Sequence, residues 1–225
     1  MTLASEPTVK IEQLSLVELA VTKIKELLLA GIVKPGEPVR EEWLTSRLGI
    51  SRPPVREAMQ VLVQQGLLER LPRRGVRAVS LSEADVWEIY SLRSVLDKFA
   101  LELGVPVRDP ALLEPMRTAV AQMRASSAAG DHPANVLANR NFHLALIALG
   151  GNKRLLQTYE NLMNQMQLLM SVNLSRESVE HQEVGAERHE ALLAAIESGD
   201  LDQALAALAA HGELRFLSTA PVQQA

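Results

Sequence analysis

From Ser82 to about residue 217 the chain keeps helical spacing of its apolar residues, interrupted only by the short breaks GVPVRDP, AAGDHP, LGGN, VNLSRES and SGD. Such a stretch buries its apolar faces helix against helix. Ser82 followed three residues later by Asp85 is a start signal, and the spacing predicts helices over about 82–104, 109–129, 133–149, 152–173, 177–198 and 200–217, with the tail STAPVQQA frayed. No repeat of 20–50 residues is visible, which points to an antiparallel bundle rather than a solenoid. Aromatic residues make up only 3% of the chain, so Leu, Ala, Val, Ile and Met must fill the core, as suits packed helices.

The front of the chain has a different texture. Leu16, Leu19, Ala20, Ile24, Leu27 and Leu28 predict a first helix over about 14–30, stopped by Gly31. After the turn KPGEP, residues 41–48 make a second short helix ended by Gly49. Ser51 is the expected N-cap of a third, with Pro53 and Pro54 in its first turn, where a missing backbone N–H costs little. That helix runs to about Gln65 and Gly66 closes it. The segment LLERLPRRGVRAVSL then alternates around an RRG turn, as a two-stranded β-ribbon does. Three helices and a hairpin make a winged helix-turn-helix. The expected fold is therefore mainly α, a winged helix-turn-helix followed by an all-α antiparallel helical bundle.

Composition narrows the chemistry. With 47% apolar and 22% charged residues the chain has the balance of a folded globular protein. It has no cysteine, so disulfides, thiolate metal sites and cysteine nucleophiles are excluded, and any transition metal must be held by imidazole and oxygen. The N-terminal residues lack the pattern of a secretory signal and no stretch is long and apolar enough for a membrane span, so the expectation is a cytoplasmic protein with no membrane partner. The net charge of −4 is unevenly spread: residues 1–80 carry 12 Lys/Arg against 9 Asp/Glu, and residues 81–225 carry 11 against 18. The basic front is where nucleic acid is to be sought.

A recognition helix needs donors toward base edges and an apolar opposite face. Arg52 and Arg56 are four residues apart on one face, while Val55, Met59, Leu62 and Val63 supply the buried side. Arg40 and Arg47 near the preceding helix, and Arg73 and Arg74 at the hairpin tip, are placed for flanking phosphates or a minor groove. Any one of these arginines is equally well an ordinary solvated charge; the helix spacing and the RRG wing together favour DNA.

The run IVKPGEPVREEWLTSRLGISRPPVREAMQVLVQQGLLERLPRRGVRAVSL closely resembles the DNA-binding domain of the GntR family of bacterial transcription regulators, most specifically in GISRPPVREAMQVLVQQGLL. The remainder, from WEIYSLRSVLD through NFHLALIALGGN to RHEALLAAIESGDLDQALAALAAH, is similar to the FCD effector domain of the FadR-type branch. The resemblance implies a winged helix-turn-helix over 10–80 and an effector-binding and dimerisation domain over 81–218. It implies a homodimer that reads double-stranded operator DNA as a pseudo-palindrome, with half-sites roughly one turn apart. Arg52 and Arg56, with Arg74 and Gly75 at the wing, are the main DNA contacts it suggests, and Ser51 and Pro53 belong to the same stretch. Pro53 stands where some relatives have a hydroxyl residue, which leaves the base preference open.

The resemblance also bears on four residues of the second part. Asn139 and His143 are four apart on one predicted helix and project from one face, and His189 and His211 lie on the two final predicted helices. Similar regulators carry Asp-x-x-x-His and two later histidines there and hold a divalent transition metal. Zn or Ni fits such a set best, and Mn, Fe or Co is compatible. Here the aspartate position is Asn139, a neutral carbonyl donor. Three outcomes stay open: three histidines with Asn139 as fourth ligand, a weaker site filled together with an anionic effector, or no metal.

Arg93, in YSLRSVLD, matches a family arginine that points into the same cavity, and its fork suits a carboxylate; its plainer reading is an exposed i, i+4 pair with Asp97. Arg140 is a second effector candidate. The implied effector is a small organic acid. His132 and His181, near predicted helix ends, carry no assigned role. Two other functions are weighed against this one. A metal-dependent hydrolase needs a general base near a metal-bound water, but Glu187 and Glu190 point away from the face of His189 and no HExxH, GxSxG or phosphate-binding loop is present. A DNA-binding protein without an effector leaves the large second part unexplained.

Overall fold

The computed structural model describes the backbone of residues 15–174 and 179–211 and, apart from 170–184, their side chains. Residues 10–14, the last part of the expected break at 175–178, the expected helix beyond His211, the tail and the His181 side chain lie outside the described residues.

The first helix, α1 (Leu16–Leu29), starts at a reciprocal cap. Ser15 Oγ accepts from the Glu18 N–H at 3.2 Å and the Glu18 carboxylate accepts from the Ser15 N–H at 2.7 Å. Its buried seam is Ala20, Ile24 and Leu28, whereas Leu16 and Leu19 in the first turn are exposed. After β1 (Pro38–Val39) come α2 (Glu41–Leu48), stopped by Gly49 in the left-handed conformation, and α3 (Arg52–Gln64). Ser51 occupies the N-cap of α3, but its hydroxyl accepts no capping hydrogen bond. The residues whose N–H it would accept are Pro53 and Pro54, which have none. Val55, Ala58, Met59 and Leu62 form the buried side of α3, and Val63 is only partly covered.

Strands β2 (Leu68–Leu71) and β3 (Gly75–Ala78) form the expected hairpin, with Leu68 opposite Ala78 and Leu71 opposite Gly75. The sheet has three strands rather than two, in the order β1-β3-β2. Two residues led by a proline are too short to display a period, so β1 gives no sequence signal.

The second part is helical throughout its described residues: α4 (Glu83–Gly104), α5 (Glu114–Ala129), α6 (His132–Leu149), α7 (Lys153–Leu174), α8 (Val179–Glu197) and α9 (Leu201–Ala210). Ser82 and Asp85 form the capping box of α4. The single helix expected over 109–129 is split, because Asp109 caps a 3-10 turn at Pro110–Leu113 before α5 begins. Pro115 sits at the start of α5, where a proline is tolerated, and would break a continuous helix passing through it. α6 lies against α4, α5 and α7, and α8 lies against α5 and α9, around a core that includes Leu101, Met116, Met123, Phe142 and Tyr159.

The two parts meet along α7. Leu168, 3% exposed, belongs to the winged-helix core with Leu62 and Leu67 rather than to the core of its own bundle. Close by, Lys25 Nζ donates to Asn164 Oδ1 at 2.5 Å. Gly66, at φ 69°, lies so close to Gln165 that a Cβ there would overlap its amide group. Burial, helped by the charge of Arg140, brings Lys25 down to about 8.

Candidate metal centre and DNA-binding face

On the winged helix, Arg40, Arg47, Ser51, Arg52, Pro53, Arg56, Arg73, Arg74 and Gly75 are all exposed. Neither arginine of the recognition helix α3 is loose. Arg56 makes two hydrogen bonds to Glu41, Nε to Oε1 at 3.0 Å and NH2 to Oε2 at 2.9 Å, and Arg52 NH2 donates to Glu42 Oε1 at 3.0 Å. The acidic first turn of α2 thus holds both guanidinium groups in place, and Arg56 keeps the Glu41 carboxyl below its usual range. Arg47 lies over the Trp43 ring, 5.6 Å from its centroid. At the wing tip Arg73 adopts φ 60° and Gly75 φ 87°. An arginine in the left-handed region is uncommon and fixes the direction in which the RRG loop presents its charges.

In the bundle, α4 is inverted. Its charged residues Arg93 and Asp97 are buried, 3% and 0% exposed, beside Tyr90, Ala100 and Leu101, while Leu92, Val95, Phe99 and Leu103 face outward. The expected i, i+4 contact is made, Arg93 Nε to Asp97 Oδ2 at 3.3 Å, but the pair is sealed in the core rather than exposed. Tyr159, from α7, donates its hydroxyl to Asp97 Oδ1 at 2.5 Å and accepts from Arg93 Nε at 3.2 Å. Burial pushes the Asp97 carboxyl up to about 6, against the opposing influence of Arg93 and Tyr159.

Arg93 leads directly to the histidines. Its NH2 contacts His143 Nε2, and that nitrogen lies 3.2 Å from His189 Nε2. His211, at the end of α9, completes the group, with ring centroids 4.2 Å from His189 and 5.2 Å from His143. One nitrogen from each of the three lies within 4.8 Å of the others. All three are buried, and Phe142 meets His143 and His189 edge-on. Asn139 is buried at 6% one turn before His143 on α6.

The protonation pattern follows from the partners. His189 Nδ1 lies 2.7 Å from the Gly185 carbonyl, which only accepts, so Nδ1 carries the proton and Nε2 a lone pair. His143 Nε2 meets the Arg93 NH2 group, which only donates, and accepts from it. The Nε2 atoms of His143 and His189 face each other at 3.2 Å. Burial holds all three imidazoles neutral: His189 falls to about 4, with Arg93 and Arg188 adding to the effect, and His143 and His211 fall well below the ordinary value, with neighbouring histidines and Arg93 as further causes. Both ring nitrogens of His211 are buried without a hydrogen-bond partner. Neutral, converging and partly unsatisfied imidazoles are the donor set a divalent transition metal requires.

The first part of the chain, residues 16–77, matches the model of the bacterial regulatory proteins of the gntR family, and residues 88–214 match that of the FCD domain. Similar proteins include a probable D-xylose utilization operon transcriptional repressor of Paenarthrobacter nicotinovorans, 30% identical over 80% of this chain and 78% of its own length. An uncharacterised HTH-type regulator of Bacillus subtilis, YdhC, is 31% identical over 62% of each chain. The chain belongs to the GntR family. Among solved structures, Escherichia coli McbR/YncC shares the fold with a TM-score of 0.79 over 92% of this chain and 97% of its own, at 24% identity. This GntR-family member is thus a regulatory protein and not an enzyme. Among the described residues no helix is long and apolar enough to cross a membrane.

Within this GntR-family chain the structure gathers His143, His189 and His211 at one point and sets Arg93 against them. Arg140 is placed otherwise: it is half-buried, and its electrostatic neighbours are Lys25 and Glu160 near the seam with the winged helix. Glu187 is exposed, and Glu190 is exposed and pairs with Arg124. Sequence reasoning did not include Asp97 and Tyr159 in the site. Asp97 carried a usable signal, since Tyr90, Arg93, Asp97 and Leu101 recur at three- and four-residue spacing on one face. Tyr159 carried none, because its partners lie more than sixty positions away.

Proposed function

We propose that this chain is a homodimeric repressor whose affinity for operator DNA is set by a small organic acid, bound at a divalent transition metal inside the helical bundle. His143, His189 and His211 hold the metal, with the Asn139 carbonyl as a further oxygen donor, and Arg93 takes the effector's carboxylate. Zn or Ni suits the imidazole-rich set best. The observation that carries the reading is the convergence of three buried histidines, His143, His189 and His211, with one ring nitrogen from each within 4.8 Å of the others. The metal supplies positive charge and open coordination positions for a carboxylate.

The surrounding structure supports the rest. Arg52, Arg56, Arg73 and Arg74 are exposed on the recognition helix and wing, where base edges and phosphates are reached. The outward face of α4, with Leu92, Val95, Phe99 and Leu103, is an apolar stripe about 16 Å long at 1.5 Å per residue, suited to a second copy. On α7, Tyr159 and Met166 touch Arg93 while Leu168 enters the winged-helix core, so one helix meets both the sensing site and the DNA-binding part. Regulation requires the effector to bind two arrangements of these parts unequally.

Elemental analysis of purified protein, combined with operator binding across a panel of small carboxylates, tests this. About one metal per chain and a carboxylate-dependent change in DNA affinity are expected, and His143→Ala should lower the metal content and blunt the response. Equal metal content in wild type and that variant sinks the site.

A further inference from the structure

Residues 81–225 carry 18 acidic residues against 11 basic ones, yet where the bundle meets the winged helix the balance reverses. Lys25 comes to this seam from α1 and Arg140 from α6; both are half-buried, and the charge of Arg140 bears on Lys25. Among the described residues neither cation has a carboxylate partner. Lys25 Nζ donates to the neutral Asn164 Oδ1, and Arg140 Nε is buried with no hydrogen-bond acceptor. Glu160, one turn before Asn164 on α7, attracts both, but it is exposed and pairs with neither. Two like charges drawn partly out of water without a counter-ion oppose folding.

We infer that Lys25, Arg140 and Asn164 form a binding site for a small oxyanion of the phosphate class, at the seam between the winged helix and the bundle. An oxyanion supplies an acceptor for Arg140 Nε and negative charge between the two cations. Arg140 offers a planar fork of donors, and Lys25 a compact ammonium with donors beyond the one that Asn164 engages. A phosphate group brings about −1.5 to −2 charges near pH 7, closer to the charge of the pair than a monocarboxylate comes. The donors belong to α1, α6 and α7, so the bound oxyanion ties the two parts together one turn from Leu168. None of the histidines and no part of Arg93 takes part, so the site stands whether or not a metal and a carboxylate bind in the bundle.

The test titrates full-length protein, before and after chelator treatment, with inorganic phosphate at constant ionic strength, with methyl phosphate and acetate as comparison anions. Wild type should bind phosphate saturably in both forms. Lys25→Gln and Arg140→Gln should each weaken binding at least about tenfold, whereas Lys25→Arg, which keeps the charge, should retain it. In chloride alone the two glutamine variants should melt no lower than wild type, because each removes an unbalanced charge; a lower midpoint overturns the claim that the pair lacks a counter-ion. Methyl phosphate bound more tightly than inorganic phosphate assigns the site to the phosphate group of a metabolite, and the reverse order to the free ion. Acetate bound as tightly as phosphate, binding unaltered in both glutamine variants, binding seen only before chelator treatment, or no saturable binding by wild type overturns the seam site.

Discussion

At the recognition helix, Arg56 grips Glu41 through two hydrogen bonds in contact with solvent; at the centre of the bundle, Arg93 meets Asp97 with both side chains sealed from water. The chemistry is the same guanidinium and carboxylate. In the first place water screens the pair and replaces either partner cheaply, so Arg56 can leave Glu41 at little cost. In the second, removing one partner strands a charge in the core. An exposed pair presents an arginine, whereas a buried pair commits the fold to keeping it neutralised, and only another partner in the same cavity can compete for it.

The largest test of that contrast is Asp97→Ala. It should cost about 3–5 kcal/mol of stability in urea unfolding, because Arg93 is left without its carboxylate; a loss below about 1 kcal/mol would erase the distinction between the two pairs. Acidification sharpens it next. The three buried histidines take up protons in the unfolded chain near 6.5 but not in the fold, where His189 stays neutral down to about 4. Chelated protein should therefore lose stability as the pH falls from about 6.5 toward 4, by on the order of 2 kcal/mol per fully shielded histidine at pH 5. Asp97 acts in the opposite sense, since its folded carboxyl keeps a proton up to about 6 against 3.8 when unfolded, and it offsets part of the loss. Urea midpoints at pH 7 and 5 measure the balance, and His189→Gln should flatten the difference. The smallest stability effect belongs to the exposed pair: Arg56→Ala should leave the urea midpoint almost unmoved while weakening operator binding roughly ten- to hundredfold. Unchanged DNA affinity would take Arg56 off the contact surface.

The same contrast explains what the sequence made legible. Helices were readable where a local cap or breaker marks them, as at Gly49 and Ser82, and Pro115 divides the expected 109–129 helix at a point where its own ring supplies the reason. β1 was not legible because its pairing with β3 is made across the fold and not along the chain. His143, His189 and His211 were legible through the resemblance to the FCD domain, because residues so far apart along the chain share no local spacing. The burial of Arg93 was not, because Leu92, Val95, Phe99 and Leu103 make the opposite face of α4 look like the inward one. Ser51 was placed correctly and misjudged chemically, since the two prolines after it remove the donors a cap needs.

Leu168, some ninety residues beyond the last strand of the winged-helix core, closes that core from α7. The reader of DNA in this chain is therefore not an interchangeable cartridge. Grafted onto another helical domain without a substitute for that one leucine, it would arrive with a hole in its floor.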